Sequence, residues 1–309
     1  MSALSLSSLP GRVKVCEMGP RDGLQNEAGV VATADKIRYI DLLSASGLPL
    51  IETTSFVRPS AIPQLTDAEG VMAGIERRAG VTYLCLVPNL RGLERARAAR
   101  VSAIAVFTAA SEAFTARNIN MTVEESLTTF REVVKTARSE GWWVRGYVST
   151  AFGCPYQGAV PVDDVVRVAS ALAEMGVDEI SIGDTIGVGT PNQVVEVAGA
   201  LQAQMPVERL AMHFHDTRGT ALANVVAALQ MNVAIFDSSS GGLGGCPYAP
   251  GATGNLATED LLYMLHGMGI ETGVDLGVVR AATRFISGAL GREVVSRAYR
   301  ALEAAVARA

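Results

Sequence analysis

Excess positive charge, long apolar runs, paired cysteines and histidine are all scarce in this sequence, and each scarcity removes a class of protein. Lysine and arginine number 26 against 31 acidic residues, a formal net charge of −5. That argues against nonspecific binding to nucleic acid, which needs a basic surface. No uninterrupted apolar run approaches the roughly 18 residues of a spanning helix, so no membrane partner is expected. The four cysteines, Cys16, Cys85, Cys154 and Cys246, lie far apart with no CxxC pair. Neither a zinc knuckle nor a disulfide framework is suggested, and reduced thiols are expected. The opening Met1 to Arg12 is too short and too weakly basic for a targeting signal, and the final Ala-Arg-Ala is not a peroxisomal address. A cytoplasmic setting is the expectation.

What is present is enough apolar material for a large core: 49% of 309 residues are hydrophobic, with disorder expected only at the ends. One pattern recurs, an apolar-periodic stretch, a Gly or polar breaker, then a short hydrophobic run, as in consecutive α-to-β connections. It occurs at 44–52, 77–87, 139–149 and 173–183, more weakly at 98–107, 204–214 and 229–239, and the opening VKVCEM (13–18) adds an eighth strand. Helices fit between at 33–46, 67–76, 91–99, 122–140, 162–175, 191–204, 218–231 and 257–268. Thr122 with Glu125 has capping-box spacing, and Pro191 after Thr190 suits a first helical residue. Eight alternating units favour an α/β fold of the (β/α)8, or TIM-barrel, type over an open sheet, and no GxGxxG follows the first strand. The expected organisation is a tail at 1–12, a catalytic barrel at 13–272 and a helical extension at 273–309, helical over roughly 277–308 and packed on the barrel or in a subunit contact.

Chemistry in such a barrel gathers at the C-terminal ends of the strands, and there the sequence is strongly polar: GPRDGLQNE (19–27), Glu52, Thr108, Ser111-Glu112, GDTIG (183–187), HFHDTRG (213–219) and Asp237. Side chains alternate along a strand, so His213 and His215 share a face about 6 to 7 Å apart and can reach one ion. These are two of only three histidines; His266, on the last barrel helix, reads as an ordinary packing residue. Asp22 and an oxygen of Asn255 can complete a site for a hard divalent ion, Mg²⁺ or Mn²⁺. Arg21 is either a structural ion pair at the barrel mouth or a cation facing an oxyanion. Glu52 either orients that guanidinium or serves packing, and Asp184 has similar standing. Cys246 follows four glycines in the six residues from Gly241; it is a proton-exchanging thiol or a bystander in a turn. Cys16 and Cys85 read as buried thiols, Cys154 as a weaker site candidate, and RGLERARAAR (91–100) as a solvated basic face that could touch a nucleotide phosphate.

Taken together, VCEMGPRDGLQNE, LIETTSFV, VPNLRG, NINMTVEES, GCPY, EISIGDTIGVGTP, HFHDTRG and GGLGGCPYAPGATGNLATEDLLYML resemble the 3-hydroxy-3-methylglutaryl-CoA lyases, of the metal-dependent lyase and Claisen-condensing superfamily. The resemblance runs from about Val13 to Gly273. It implies an acyl-CoA substrate cleaved to acetyl-CoA and acetoacetate, Asp22, His213, His215 and Asn255 as ligands of Mg²⁺ or Mn²⁺, and Arg21 on the enolate. It further implies Cys246 in proton transfer, His213 or Asp22 as base, support from Glu52, Asp184 and Glu259, no cofactor besides the ion, and a homo-oligomer, dimer or tetramer. Arg218 departs from the family pattern, and as an extra cation at the mouth it keeps a citramalyl-CoA lyase as the alternative. A condensing synthase is disfavoured, since only about 40 residues follow Gly269. A non-catalytic acyl-CoA or metal binder predicts binding without turnover.

Overall fold

The computed structural model describes residues 9–245, 254–306 and 308. Eight parallel strands close into a barrel in sequence order: β1 (Lys14–Glu17), β2 (Leu50–Ser55), β3 (Thr82–Leu86), β4 (Ala103–Ala109), β5 (Trp143–Ser149), β6 (Glu179–Asp184), β7 (Leu210–Phe214) and β8 (Ile235–Ser238). The ring closes where Lys14 to Glu17 pair in register with Ile235 to Ser238. The helices between them are α1 (Thr33–Ser44), α2 (Ala68–Gly74), α3 (Leu90–Ala98), α4 (Glu112–Asn118), α5 (Val123–Ser139), α6 (Val162–Glu174), α7 (Pro191–Gln202), α8 (Ala221–Gln230) and α9 (Thr258–Gly267). α10 (Leu276–Leu290) and α11 (Arg297–Val306) follow. The expected barrel is therefore the observed one.

Each strand presents alternate side chains to two environments. Outward residues such as Ile51, Ile104, Val144, Ile180 and Met212 join the apolar layer against the helices, and each such side chain contributes roughly 1.5–3 kcal/mol on burial. Inward residues form a separate cluster that includes Cys16, Leu50, Leu84, Ala105, Tyr147 and Ala211, together with charged groups described below. Burial pushes the Cys85 thiol up to about 12 and that of Cys16 higher still, which suits inert packing residues.

Local signals account for most boundaries. Thr122 accepts from the Glu125 amide at 3.1 Å while Glu125 Oε2 accepts from the Thr122 amide at 2.8 Å, a reciprocal cap on α5. Two features differ from the pattern read in the sequence. Ser111 caps the short helix α4, which its seven residues were too few to signal by periodicity. The C-terminal segment is two helices, because Gly291 takes a left-handed conformation (φ 63°) that ends α10; Arg280 Nη2 then reaches Glu303 Oε1 of α11 at 2.6 Å. No helix among the described residues is long and apolar enough to cross a membrane.

Candidate metal centre and active-site cleft

The turn after β1 brings two candidate residues to the barrel mouth together. The amides of Arg21, Asp22 and Gly23 all converge on the Met18 carbonyl, at 3.2, 2.8 and 3.1 Å, a wide π-type turn of the kind found at functional sites. Gly19 opens it because nothing larger fits: a Cβ there would lie 2.3 Å from Tyr39 Oη and 2.6 Å from Glu17 Oε1. Arg21 is held on two sides. Its Nε and Nη2 both reach Glu52 Oε2, at 2.7 and 2.6 Å, and Nη1 donates to Asp22 Oδ1 at 2.8 Å. Glu52 thus holds the guanidinium through one oxygen, which takes the Nε hydrogen bond and the Nη2 ion-pair contact. Burial pushes the Glu52 carboxyl up, against the pull of Arg21. For Asp22 burial acts upward too, but Arg21, the two imidazoles and the Asn255 amide outweigh it and hold the carboxyl below its ordinary range.

Opposite this turn, β7 delivers the histidines. The rings of His213 and His215 lie 5.2 Å apart between centroids, and one donor atom each from Asp22, His213 and His215 fall within 4.8 Å of one another. Asn255 arrives by a different route. After the glycine-rich loop the chain returns alongside the end of β7, where Asp216 N donates to Gly254 O and Leu256 N to Phe214 O, each at 2.9 Å, and His215 is bridged to Asn255. Asn255 Nδ2 then donates to Asp22 Oδ2 at 2.8 Å and to Leu243 O at 3.1 Å. The donor set is one carboxylate, two imidazoles and an amide oxygen, with no thiolate among the described residues. Two of its atoms, His215 Nδ1 and Asn255 Oδ1, are buried with no hydrogen-bond partner. An unmet need of this kind is costly in a protein interior and fits a hard divalent ion. Burial, then the neighbouring His213, pull His215 down to about 4, so this imidazole is neutral near pH 7, the form a ligand needs.

Arg21, Asp22, His213 and His215 line a cleft of about 700 Å³ together with Phe107, Tyr147, Ser149, Gly183, Arg58, Asn89 and Asn118, while Asn255 and Glu52 sit behind them, against Asp22 and Arg21. That volume suits a medium-sized organic ligand. Other candidates stand outside it. Asp184 is buried and accepts from the Val188 and Gly189 amides, each at 2.9 Å, so its carboxylate is spent closing the loop after β6. Glu259 accepts from the Gly241 amide at 2.8 and 3.1 Å and from Thr283, fixing the root of the glycine-rich loop. Cys246 lies outside the described residues. Cys154 is buried beside Ser111, whose Oγ donates to its sulfur at 3.0 Å, and packs behind Phe114 of the cleft wall without lining the cleft itself. His266 bonds Thr272 at 2.8 Å. Arg218, expected as a cation at the mouth, instead donates from Nη1 to the carbonyls of Ile186 and Gly187 at 3.0 and 2.9 Å and does not line the cleft. In the basic run, Arg95 pairs with Glu69 and Arg97 with Glu140 across neighbouring helices.

Two residues were not given roles from sequence. Arg145 is fully buried inside the barrel and reaches Asp237 Oδ1 at 2.7 Å, and Asp237 Oδ2 lies 3.2 Å from His213 Nδ1. An arginine at an inward position of an apolar strand, WVRGYVS, was the available signal.

Comparison with known proteins agrees with this geometry. The HMGL-like family matches residues 12–286. The chain is 53% identical over 290 residues to the mitochondrial hydroxymethylglutaryl-CoA lyase of Gallus gallus, covering 94% of this chain and 97% of that one. It is 52% identical over 296 residues to the corresponding mitochondrial lyase of Rattus norvegicus, covering 96% and 91%. Among solved structures, the hydroxymethylglutaryl-CoA lyase of Pseudomonas aeruginosa superposes with a TM-score of 0.94 at 52% identity, covering 96% of this chain and 99% of that one. With a matching barrel and a divalent-ion donor set at its mouth, the chain belongs to the HMGL-like family.

Proposed function

We propose that this chain is a divalent-metal lyase that cleaves 3-hydroxy-3-methylglutaryl-CoA to acetyl-CoA and acetoacetate. The observation that carries the reading is the convergence of Asp22, His213 and His215 beside Arg21 in one cleft, with Asn255 held against Asp22. Those four residues would hold Mg²⁺ or Mn²⁺. The ion, when bound, supplies Lewis acidity that makes an adjacent hydroxyl easier to deprotonate. His213 or Asp22 takes the proton of the tertiary hydroxyl. The electron pair of that O–H bond becomes the new carbonyl, the C2–C3 bond breaks, and the charge passes to the thioester enolate. Arg21, held rigid by Glu52, faces that oxygen with a guanidinium already oriented, so little reorganisation is needed as charge develops. Cys246 returns a proton to the enolate carbon, completing acetyl-CoA. Glu52, Asp184 and Glu259 act by holding Arg21, the loop after β6 and the glycine-rich loop.

The barrel at 13–272 carries this chemistry, the extension at 273–309 packs on it, and the active unit is a homo-oligomer working in the cytoplasm on an acyl-CoA. The citramalyl-CoA alternative arose in part from Arg218, whose Nη1 donates to two backbone carbonyls and which does not line the cleft. The test is to incubate metal-stripped and Mg²⁺- or Mn²⁺-restored protein with each acyl-CoA and identify the oxo acid. Acetoacetate only from the restored enzyme is expected; pyruvate as the main product, or turnover without metal, would sink the reading.

A further inference from the structure

The interior of the barrel holds an unbroken line of alternating charge from its base to the candidate metal centre. At the base, Lys14 Nζ meets Glu179 Oε2 at 2.8 Å, and Glu179 Oε1 meets Arg145 Nε at 2.8 Å. Arg145 Nη2 then donates to Asp237 Oδ1 at 2.7 Å. The other oxygen, Oδ2, accepts from Ser181 Oγ at 2.8 Å and lies 3.2 Å from His213 Nδ1. Strand register makes this contact: His213 and Asp237 are directly paired across β7 and β8, so their inward side chains meet. Asp237 does not line the cleft, and none of the roles given above uses it.

An ionised carboxylate only accepts hydrogen bonds. With Asp237 held as an anion by Arg145, the imidazole nitrogen facing it must carry a proton. In the neutral ring, the form that binds metal, the other nitrogen, Nε2, is then bare and lies 4.0 Å from Asp22 Oδ2. We propose that Asp237, anchored by Arg145, is the positioning residue that fixes the Nδ1–H tautomer of His213 and so presents Nε2 to the metal, which leaves Asp22, of the two base candidates, to take the hydroxyl proton. The inference rests on the metal-site reading given above. An anionic partner of this kind also raises the basicity of a ligating imidazole, and loss of such partners typically weakens metal binding 10- to 100-fold.

The informative variant is Asp237→Asn. Arg145 can only donate, so the asparagine carbonyl takes the Oδ1 position and its amide nitrogen faces His213. Nδ1 must then accept, and the ring proton moves to Nε2. Titration calorimetry with Mn²⁺ should show a dissociation constant about 10- to 100-fold higher than that of the unsubstituted protein. In ¹⁵N-histidine spectra of the metal-free forms, His213 should be an Nδ1–H tautomer in the unsubstituted protein and Nε2–H in the variant. The chain has three histidines, so His215→Gln and His266→Gln assign the signals. A folded Asp237→Asn protein with unchanged Mn²⁺ affinity and unchanged tautomer would overturn the proposal. If that variant fails to fold, the spectrum of the unsubstituted protein decides alone, since an Nε2–H tautomer of His213 there is incompatible with the proposal. Absence of Mn²⁺ binding to the unsubstituted protein would defeat the metal-site reading instead, while the tautomer would still report on Asp237.

Discussion

Replacing Arg21 with glutamine separates chemistry from stability at a point where the structure joins them. Arg21 is 8% exposed, and its guanidinium is pinned by a hydrogen bond from Nε and an ion-pair contact from Nη2 to Oε2 of Glu52, whose carboxylate is fully buried. If Arg21 faces the enolate oxygen, its loss removes one preorganised donor, worth about 2.7–4 kcal/mol or 10²- to 10³-fold in kcat. The same substitution strands Glu52, and breaking a buried pair from one side costs about 3–5 kcal/mol. Glu52 softens that loss by taking up a proton, which burial already favours. The double variant Arg21→Gln with Glu52→Gln removes both charges, so it should regain most of the stability and none of the turnover. Urea unfolding measures the first, and acetoacetate release at saturating Mn²⁺ the second. Recovery of turnover together with stability in the double variant would show that Arg21 acts structurally, and a kcat within about threefold of normal in the single variant would exclude it from charge stabilisation.

Three further outcomes follow from particular contacts. Gly254→Ala should weaken Mn²⁺ binding at least tenfold, because its Cβ would sit 2.0 Å from Gly244 O at a residue with φ of +91°, one position from Asn255; calorimetry reads the loss, and normal affinity would refute it. Burial, against donors from Ser240, Thr258 and Gly19, pushes the Glu17 carboxyl from 4.5 up to about 8. The native state therefore binds more protons than the unfolded chain between those values, so this group's contribution to stability is full below about pH 4.5 and is lost as pH rises through 8. The melting temperature should fall across that window less steeply in Glu17→Gln, and equal slopes would count against it. Cys246→Ser should keep fold and Mn²⁺ affinity while losing most turnover, and unchanged acetoacetate release would remove the thiol from the scheme.

The site was legible in the sequence to the extent that period-2 alternation and strand ends decide it. HFH on one strand puts two imidazoles on one face whatever surrounds them, and Arg21-Asp22 after the first strand must lie at the mouth of any closed barrel. Arg218 shows where such reasoning stops: its place in HFHDTRG predicts a cation at the mouth, but its partners are carbonyls of the neighbouring loop. Asp184 likewise sits at a strand end, yet two amides of its own loop occupy the carboxylate. Helix α4 was invisible because seven residues hold barely two turns of periodicity.

What the sequence by itself determined was the alternation of eight strands with helices and the residue types able to bind a hard ion. Both are encoded in local patterns of hydrophobicity and spacing. The tertiary structure decided which polar groups meet, because contacts such as Asn255 with Asp22, 233 positions apart, or Arg145 with Asp237, 92 apart, depend on barrel closure and strand register. Nothing local in the chain records those distances. The charge line from Lys14 to His213 therefore emerges only when barrel closure brings β1, β5, β6, β7 and β8 around one interior.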